Sequence, residues 1–412
     1  DKALNENRHK MTEEQYNAAK NILESNNCVS ILEGYAGAGK STTMGTVKKV
    51  ADAMGYKTIG LALPWSASQV LKNSLKAHEC MAIKAFTNYI EKANGNIDAI
   101  FPQPTMIVID EAGLIDIKTV YPLFKAISQS KFPVKVVITG DTKQLLPIDA
   151  GSMLELLVNE LGSSKITEIF RQYQDSHRTM AGLFAENRAG EALHILQQQE
   201  CLVWCDDNTK REQLLVRDFL SYKLANPQKM PIILASTNME ISNINKMIRK
   251  YYKTMGFIYG METGDIMCTD TKSAPFICRY AAGDEIIIRY AGEKIKQYKI
   301  PDNKNDFDRS KYIEVGSGVF NRNFGKIVNV EKGKQGSYDL TIDLTGEIPA
   351  RVIINTDEFR DEQSGYFPIV PNFATTIYSS QGQTVDKIFL VAGNSIEGKN
   401  AYVGGTRHRE DI

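Results

Sequence analysis

The sequence predicts an α/β protein with parallel sheets, interrupted late in the chain by a small antiparallel β unit. Three observations carry this. Apolar runs at 28–33, 105–110 and 134–140 each end in a polar or glycine-rich turn, and the first leads directly into helical periodicity. A strand–turn–helix pattern returns in "MPIILASTNMEISNINKMIRKYY" at 230–252. From about 282 to 366 the texture changes to alternating apolar and polar residues with glycine turns, the pattern of short antiparallel strands.

The first run, "CVSILE", leads into "GYAGAGKS" at 34–41, a full match to G-x-x-x-x-G-K-[ST]. Gly34, Gly37, Ala38 and Gly39 would form a loop whose backbone N–H groups point at phosphate oxygens. Lys40 would reach the β- and γ-phosphates of ATP, and the Ser41 hydroxyl would hold Mg²⁺. Thr42 belongs to the same nucleotide-binding set. The helix "STTMGTVKKVADAMG" follows, and its N-terminus favours anions. A flexible glycine turn is the plain alternative, which the strand–loop–helix context opposes.

The second run, "TMIVIDEAGLID" at 105–116, places Asp110 and Glu111 at a strand's C-terminal edge, where parallel α/β sheets bind ligands. Asp110 would hold Mg²⁺, directly or through water, and Glu111 would orient and activate the attacking water. Such a carboxylate pair can also cap a helix; its pairing with the phosphate loop favours chemistry. The third run, "VKVVITGDTKQLLPIDAGS" at 134–152, brings Gln144, whose amide can contact a γ-phosphate and report nucleotide state. A capped surface turn fits that spacing equally.

Composition bounds the partners. With 412 residues the chain has room for two or more domains. Lys+Arg and Asp+Glu both number 49, so any nucleic-acid footprint must be local. No apolar stretch approaches ~20 residues, so no membrane span is expected. The polar start "DKALNENRHKMTEEQ" does not resemble a signal peptide. The six cysteines are too sparse for a disulfide framework, and no histidine stands near Cys201 and Cys205 in sequence. The expectation is a cytoplasmic chain with reduced thiols and no metal besides Mg²⁺.

The order GYAGAGKS, VIDEAG, GDTKQLLPIDAG, EIFRQ, TTIYSSQGQT, YVGGTRHRED resembles the motif series of superfamily 1 helicases, subgroup B, the RecD-like enzymes. "ITEIFRQ…AGLFAENRAGEALHIL", "ILASTNMEISNINKMIRK" and "VGGTRHRED" are most similar to the helicase portion of conjugative TraA/TraI relaxases. The resemblance implies two RecA-like domains with ATP in the cleft between them. The first would span 1–198, and the second 199–281 with 367–412. An SH3-like barrel would be inserted at 282–366.

The resemblance also implies residue roles. Gln15 would read adenine, and Gly382 joins the nucleotide-binding set. Arg171 and Arg407 would stabilise transition-state charge, Arg171 from near the junction of the two domains and Arg407 from the second. Pro64, Trp65 and Ser66 in "LALPWSAS", and Phe86 and Thr87 in "AIKAFTNYI", would contact single-stranded DNA. Lys84 departs from the family pattern, where a histidine is common. Trp65 could stack on a base or sit in the core. Thr375, Thr376 and Ser380 would serve DNA phosphates and the nucleotide cleft, although Ser and Thr also favour helix caps. A short strand-separating hairpin is expected at 88–104, on the Asn94-Gly95 turn signal. Residues 292–334 hold ten Lys/Arg against six Asp/Glu, which suits a phosphate backbone or a solvated loop. "GEKIKQYKIPDNKNDFDRSK" within it reads as polar and mobile.

The implied activity is ATP-driven 5′→3′ translocation on single-stranded DNA with duplex unwinding, by a monomer acting at the single-strand/duplex junction. A relaxase domain elsewhere in the parent protein and contact with conjugation machinery are further implications. Tyrosine-based DNA cutting by this chain is opposed by its lack of a histidine cluster. A DNA-stimulated ATPase or translocase without unwinding, and an RNA helicase, remain open.

Overall fold

The computed structural model describes residues 2–412 apart from 64, 94, 148–150, 270–274, 320, 322, 346–348 and 394–397. The chain divides into two compact units: residues 1–204 with 377–412, and residues 205–376.

In the first unit, six strands form one sheet: β1 (Val29–Gly34), β2 (Lys57–Ala62), β3 (Glu79–Ala82), β4 (Thr105–Asp110), β5 (Val134–Gly140) and β6 (Ser164–Ile166). Their order is β3-β2-β4-β5-β1-β6, and every pairing is parallel. Strand side chains alternate between faces, so one apolar run feeds two cores. Ile31, Ile107, Ile109, Val136 and Ile138 enter one layer with Phe86, Ile90 and Leu123. Leu32, Met106, Val108 and Val137 enter the other with Met44 and Val47 of the helix Lys40–Ala53. Burial on both faces explains why these strands read as continuous apolar segments. Register levels their C-terminal ends, with Glu33 opposite Gly140 and Ala62 opposite Asp110.

Within 88–104 the described residues form helical segments and no strand, where a hairpin was expected. The helix Ile83–Lys92 is followed by a helical turn Ile97–Ile100. Ile90, Ile97, Ile100 and Phe101 all enter the first core layer, and that burial overrides the local turn signal of Asn94-Gly95. Gly95 does take a positive φ of 86°, while Asn94 lies outside the described residues.

Residues 377–412 fall in the first compact unit. They contribute parallel strands Val385–Leu390 and His408–Asp411 and the helix Gly398–Gly405. Tyr402 packs with Ala36, Met180, Phe184 and Leu196 in one buried cluster, which fixes this segment beside the phosphate loop.

The second unit begins with the helix Asn208–Ala225, then β7 (Pro231–Ala235) and a helix Asn238–Thr254 closed by a Thr237/Glu240 capping box. β8 (Ile266–Cys268) pairs antiparallel with β9 (Phe276–Cys278). Seven strands then build an antiparallel sheet: β10 (Glu285–Ile288), β11 (Gly292–Tyr298), β12 (Glu314–Val319), β13 (Phe324–Lys332), β14 (Tyr338–Thr345), β15 (Ala350–Asn355) and β16 (Ile369–Pro371). Their order is β12-β11-β15-β14-β13-β10-β16, so the sheet runs slightly past the expected limit at 366. β17 (Ala374–Thr376) pairs parallel with β7.

The stretch 292–311, expected to be mobile, is partly strand and otherwise tied down. Arg351 is fully buried. It makes a two-pronged ion pair with Asp343 at 2.6 and 3.0 Å, and donates to the carbonyls of Lys304 and Asp306 at 2.8 and 3.0 Å. Several of the basic residues there are neutralised within the unit. Arg309 pairs with Glu331 and Asp339, Lys296 with Glu314, and Lys311 with Asp308. The charge excess therefore presents less free cation than the sequence count implies.

Candidate functional site

β1 ends at Gly34 and the loop 35–39 turns into the helix at Lys40. Gly37 has a φ of 85°, and a Cβ there would lie 2.5 Å from the Arg171 Cβ, so both backbone and packing demand glycine. Gly39 is also left-handed, at 83°. The Lys40 ammonium donates to the carbonyls of Gly34 and Tyr35 at 2.7 and 3.1 Å, folding across the loop. Ser41 and Thr42 are exposed at the helix start. Gln15 is buried against the loop. Its Nε2 donates to the Ala38 carbonyl at 3.1 Å, and its Oε1 accepts from Thr12 N–H in a capping box. In this arrangement Gln15 braces the loop, a role its sequence context did not disclose.

At the end of β4, Asp110 accepts from the Thr139 hydroxyl and from Glu111 N–H at 3.0 Å. Burial pushes its carboxyl up, and neighbouring Glu111 adds to this; Thr139 and Lys40 work the other way. Glu111 itself has a φ of 52°, rare for a side chain of its size. Backbone strain of this kind gathers at sites where a side chain must be aimed. Gln381 Nε2 lies 3.4 Å from the Glu111 carboxylate. The Gln381 Oε1 is buried with no partner among the described residues. Gly382, with a φ of 82°, adjoins Glu111.

Gln144 is buried and donates to Asp141 at 3.0 Å. Its Oε1 accepts from Arg407 at 3.3 Å. Arg407 is also buried, and its Nε donates to the Val403 carbonyl at 2.9 Å. Arg171 donates to the Thr406 carbonyl at 2.9 Å. Desolvation and the nearby Arg407 charge pull the Arg171 guanidinium down to about 9, and burial lowers Arg407 too. Neither arginine is in an ion pair among the described residues; they donate to carbonyl and amide oxygens. Together with Lys40 they form a cationic set suited to a polyphosphate. Mg²⁺–ATP fits that donor set, with Asp110 as the half-buried carboxylate beside it. Arg407, expected to act from the second domain, reaches Gln144, and both residues lie in the first compact unit.

The expected DNA contacts fare differently. Phe86 and Thr87 are buried, the ring in the core and the Thr87 hydroxyl bonded to the Lys84 carbonyl at 3.1 Å. The structure therefore gives neither side chain a surface for DNA. Ser380 is buried with its hydroxyl on the Ile377 carbonyl at 2.7 Å, and Thr375 is buried in β17 of the second unit. Thr376, the last residue of β17, is half-buried. Pro64 lies outside the described residues; Trp65 and Ser66 open the helix Trp65–Leu75.

Sequence reasoning also missed Asp141 and Tyr402, whose contacts join distant segments. It found no histidine near Cys201, yet His177, Cys201 and Asp411 gather their ligand atoms within 4.8 Å. His177 is already bonded to Gln199 at 3.0 Å, and Asp411 is paired with Lys387, so the group reads as a structural cluster.

Residues 10–207 match the family model of an AAA domain. The conjugal transfer protein TraA of Agrobacterium fabrum is 25% identical over 407 residues, covering 98% of this chain and 32% of that protein. The ATP-dependent RecD2 DNA helicase of Deinococcus radiodurans is 21% identical over 364 residues, 85% of this chain and 41% of that protein. In sequence the chain is similar to TraA and to a RecD-like helicase over most of its length. The chain spans about a third of the TraA relative's own length. Its fold is similar to that of a Bacteroides Pif1 helicase solved with ADP-AlF3 and single-stranded DNA. The TM-score is 0.56 at 14% identity, covering 97% of this chain and 90% of that one. Among the described residues no helix is long and apolar enough to cross a membrane.

Proposed function

We propose that this helicase couples ATP hydrolysis to 5′→3′ movement along single-stranded DNA and to duplex unwinding, as the motor part of a longer conjugative-transfer protein carrying a relaxase domain. The observation that carries the reading is the meeting of Lys40, Glu111, Gln144 and Arg407 around one phosphate loop. The TraA relatives support the conjugative context, and the Pif1 complex supports single-stranded DNA as the track.

Bound Mg²⁺–ATP supplies the phosphoryl group and the metal that neutralises its oxygens; Ser41 and Asp110 are the residues that would hold the ion. The loop N–H groups and Lys40 would orient the phosphates. Glu111 would hold the attacking water and take its proton, with Gln381 steadying the carboxylate. Gln144, Arg171 and Arg407 would meet the charge that spreads over the transferred group. The antiparallel sheet of the second unit would act as an SH3-like element over the DNA. Its paired surface charges favour shape over a strongly basic face.

Phosphate release measured with and without single-stranded DNA, followed by unwinding of 5′-tailed and 3′-tailed duplexes, tests this reading. DNA-stimulated release and unwinding of the 5′-tailed substrate are expected. Stimulation without unwinding would leave a translocase, and stimulation by RNA alone would leave an RNA enzyme. No stimulation by either would end the motor assignment.

Glu111→Gln should keep nucleotide affinity while slowing hydrolysis by about 10²-fold, trapping a DNA-gripping state. Loss of nucleotide binding itself would make Glu111 a structural residue.

A further inference from the structure

The Tyr402 hydroxyl sits in the middle of a buried hydrogen-bond chain that begins in the phosphate loop and ends at Arg407. Ala36 N–H, inside the loop, donates to the Tyr402 oxygen at 2.7 Å. The Tyr402 hydroxyl donates to Asp141 Oδ2 at 2.8 Å. The same carboxylate oxygen accepts from Gln144 Nε2 at 3.0 Å, and Gln144 Oε1 accepts from Arg407 at 3.3 Å. Tyr402, Asp141, Gln144 and Arg407 are all buried. Burial and the Asp141 charge hold the Tyr402 phenol far above its ordinary range, so it stays a donor. The other oxygen of Asp141 caps the turn at Lys143 N–H, which fixes the carboxylate in place.

We propose that Tyr402 is a positioning residue that passes the state of the phosphate loop to Gln144 and Arg407. This rests on the assignment of the site to ATP hydrolysis. The chemistry is directional. A loop N–H that points at a phenol oxygen is an N–H not pointing at phosphate. Any shift of the loop on a polyphosphate must therefore lengthen or re-aim the Ala36–Tyr402 bond. Asp141 accepts from both Tyr402 and Gln144 at one oxygen, so a change in one donor alters the other's geometry. Gln144 can then move Arg407, whose Nε is held on the Val403 carbonyl one turn back in the chain. Buried chains of this kind act as units, because each unpaired group is costly.

The test is Tyr402→Phe, which keeps the buried ring and deletes only the hydroxyl, together with Asp141→Asn and the double variant. ATP turnover, affinity for a fluorescent ATP analogue and thermal unfolding are measured for each. Tyr402→Phe is expected to lower kcat about tenfold while leaving nucleotide affinity within about threefold, a split that marks loss of transition-state alignment. In the double variant the losses should not multiply, because both changes break one chain. Unchanged kcat in Tyr402→Phe, multiplying losses, or a loss that tracks weakened binding or unfolding would each overturn the relay. A wild-type chain without ATPase activity would overturn the site assignment as well, which separates the two failures.

Discussion

Arg407→Ala should slow ATP hydrolysis by about 10³-fold with little change in nucleotide affinity. Arg407 is buried, carries no ion pair among the described residues, and approaches Gln144 from a segment that begins more than two hundred residues later in the chain. A guanidinium held this way is unfavourable until an anion arrives. It should contribute most when negative charge is greatest, at the transition state. Arg407→Lys should not restore the rate, since a single ammonium cannot hold Val403 and Gln144 while also reaching a phosphate oxygen. Single-turnover hydrolysis beside analogue binding checks both. A change below about twofold, on the same scale, would hand the role to Arg171.

Lys40→Ala should reduce turnover by about 10³-fold, to assay background, in a chain that still folds. Among the described residues the Lys40 ammonium donates to the loop carbonyls of Gly34 and Tyr35, and the helix it opens is held by Met44, Val47, Val50 and Ala51. Alanine is the most favourable helix residue, so the helix loses nothing at that position. Unchanged far-UV dichroism and unfolding temperature, with lost phosphate release, is the expected pair of results. Near-normal turnover would sink the nucleotide assignment.

The parallel sheet was legible in sequence because strands buried on both faces leave an unbroken apolar run, as in "TMIVID" and "VKVVITG". The loop, Asp110, Glu111 and Gln144 were legible because each directly follows such a run. Tyr402 was not. Its partner Ala36 is 366 residues away, and nothing local marks the hydroxyl. The grouping of 377–412 with the phosphate-loop unit was hidden for the same reason. At 88–104 a local signal misled, because a turn dipeptide outweighed apolar spacing that belongs to helix. Phe86 was assigned to DNA by resemblance, yet its ring packs 6.5 Å from that of Phe101. Arg351 made a polar loop look loose, when the buried guanidinium gathers that loop's carbonyls onto the sheet.

The neighbours of the phosphate loop bear on what its glycines can tell. A Cβ on Gly34 would fall 2.5 Å from Ile166 Cγ1 and 2.8 Å from the Ile166 carbonyl, and one on Gly37 would strike Arg171. Those obstacles are protein, present whether or not nucleotide ever binds. A descendant that had given up hydrolysis would still be held to glycine at both positions, merely to close its sheet. Among the described residues Lys40 has no such tether: it donates to loop carbonyls. Among copies of this chain that drift out of use, the lysine should erode first and the glycines last. The state of position 40, and not the glycine pattern around it, is therefore the marker of a working engine.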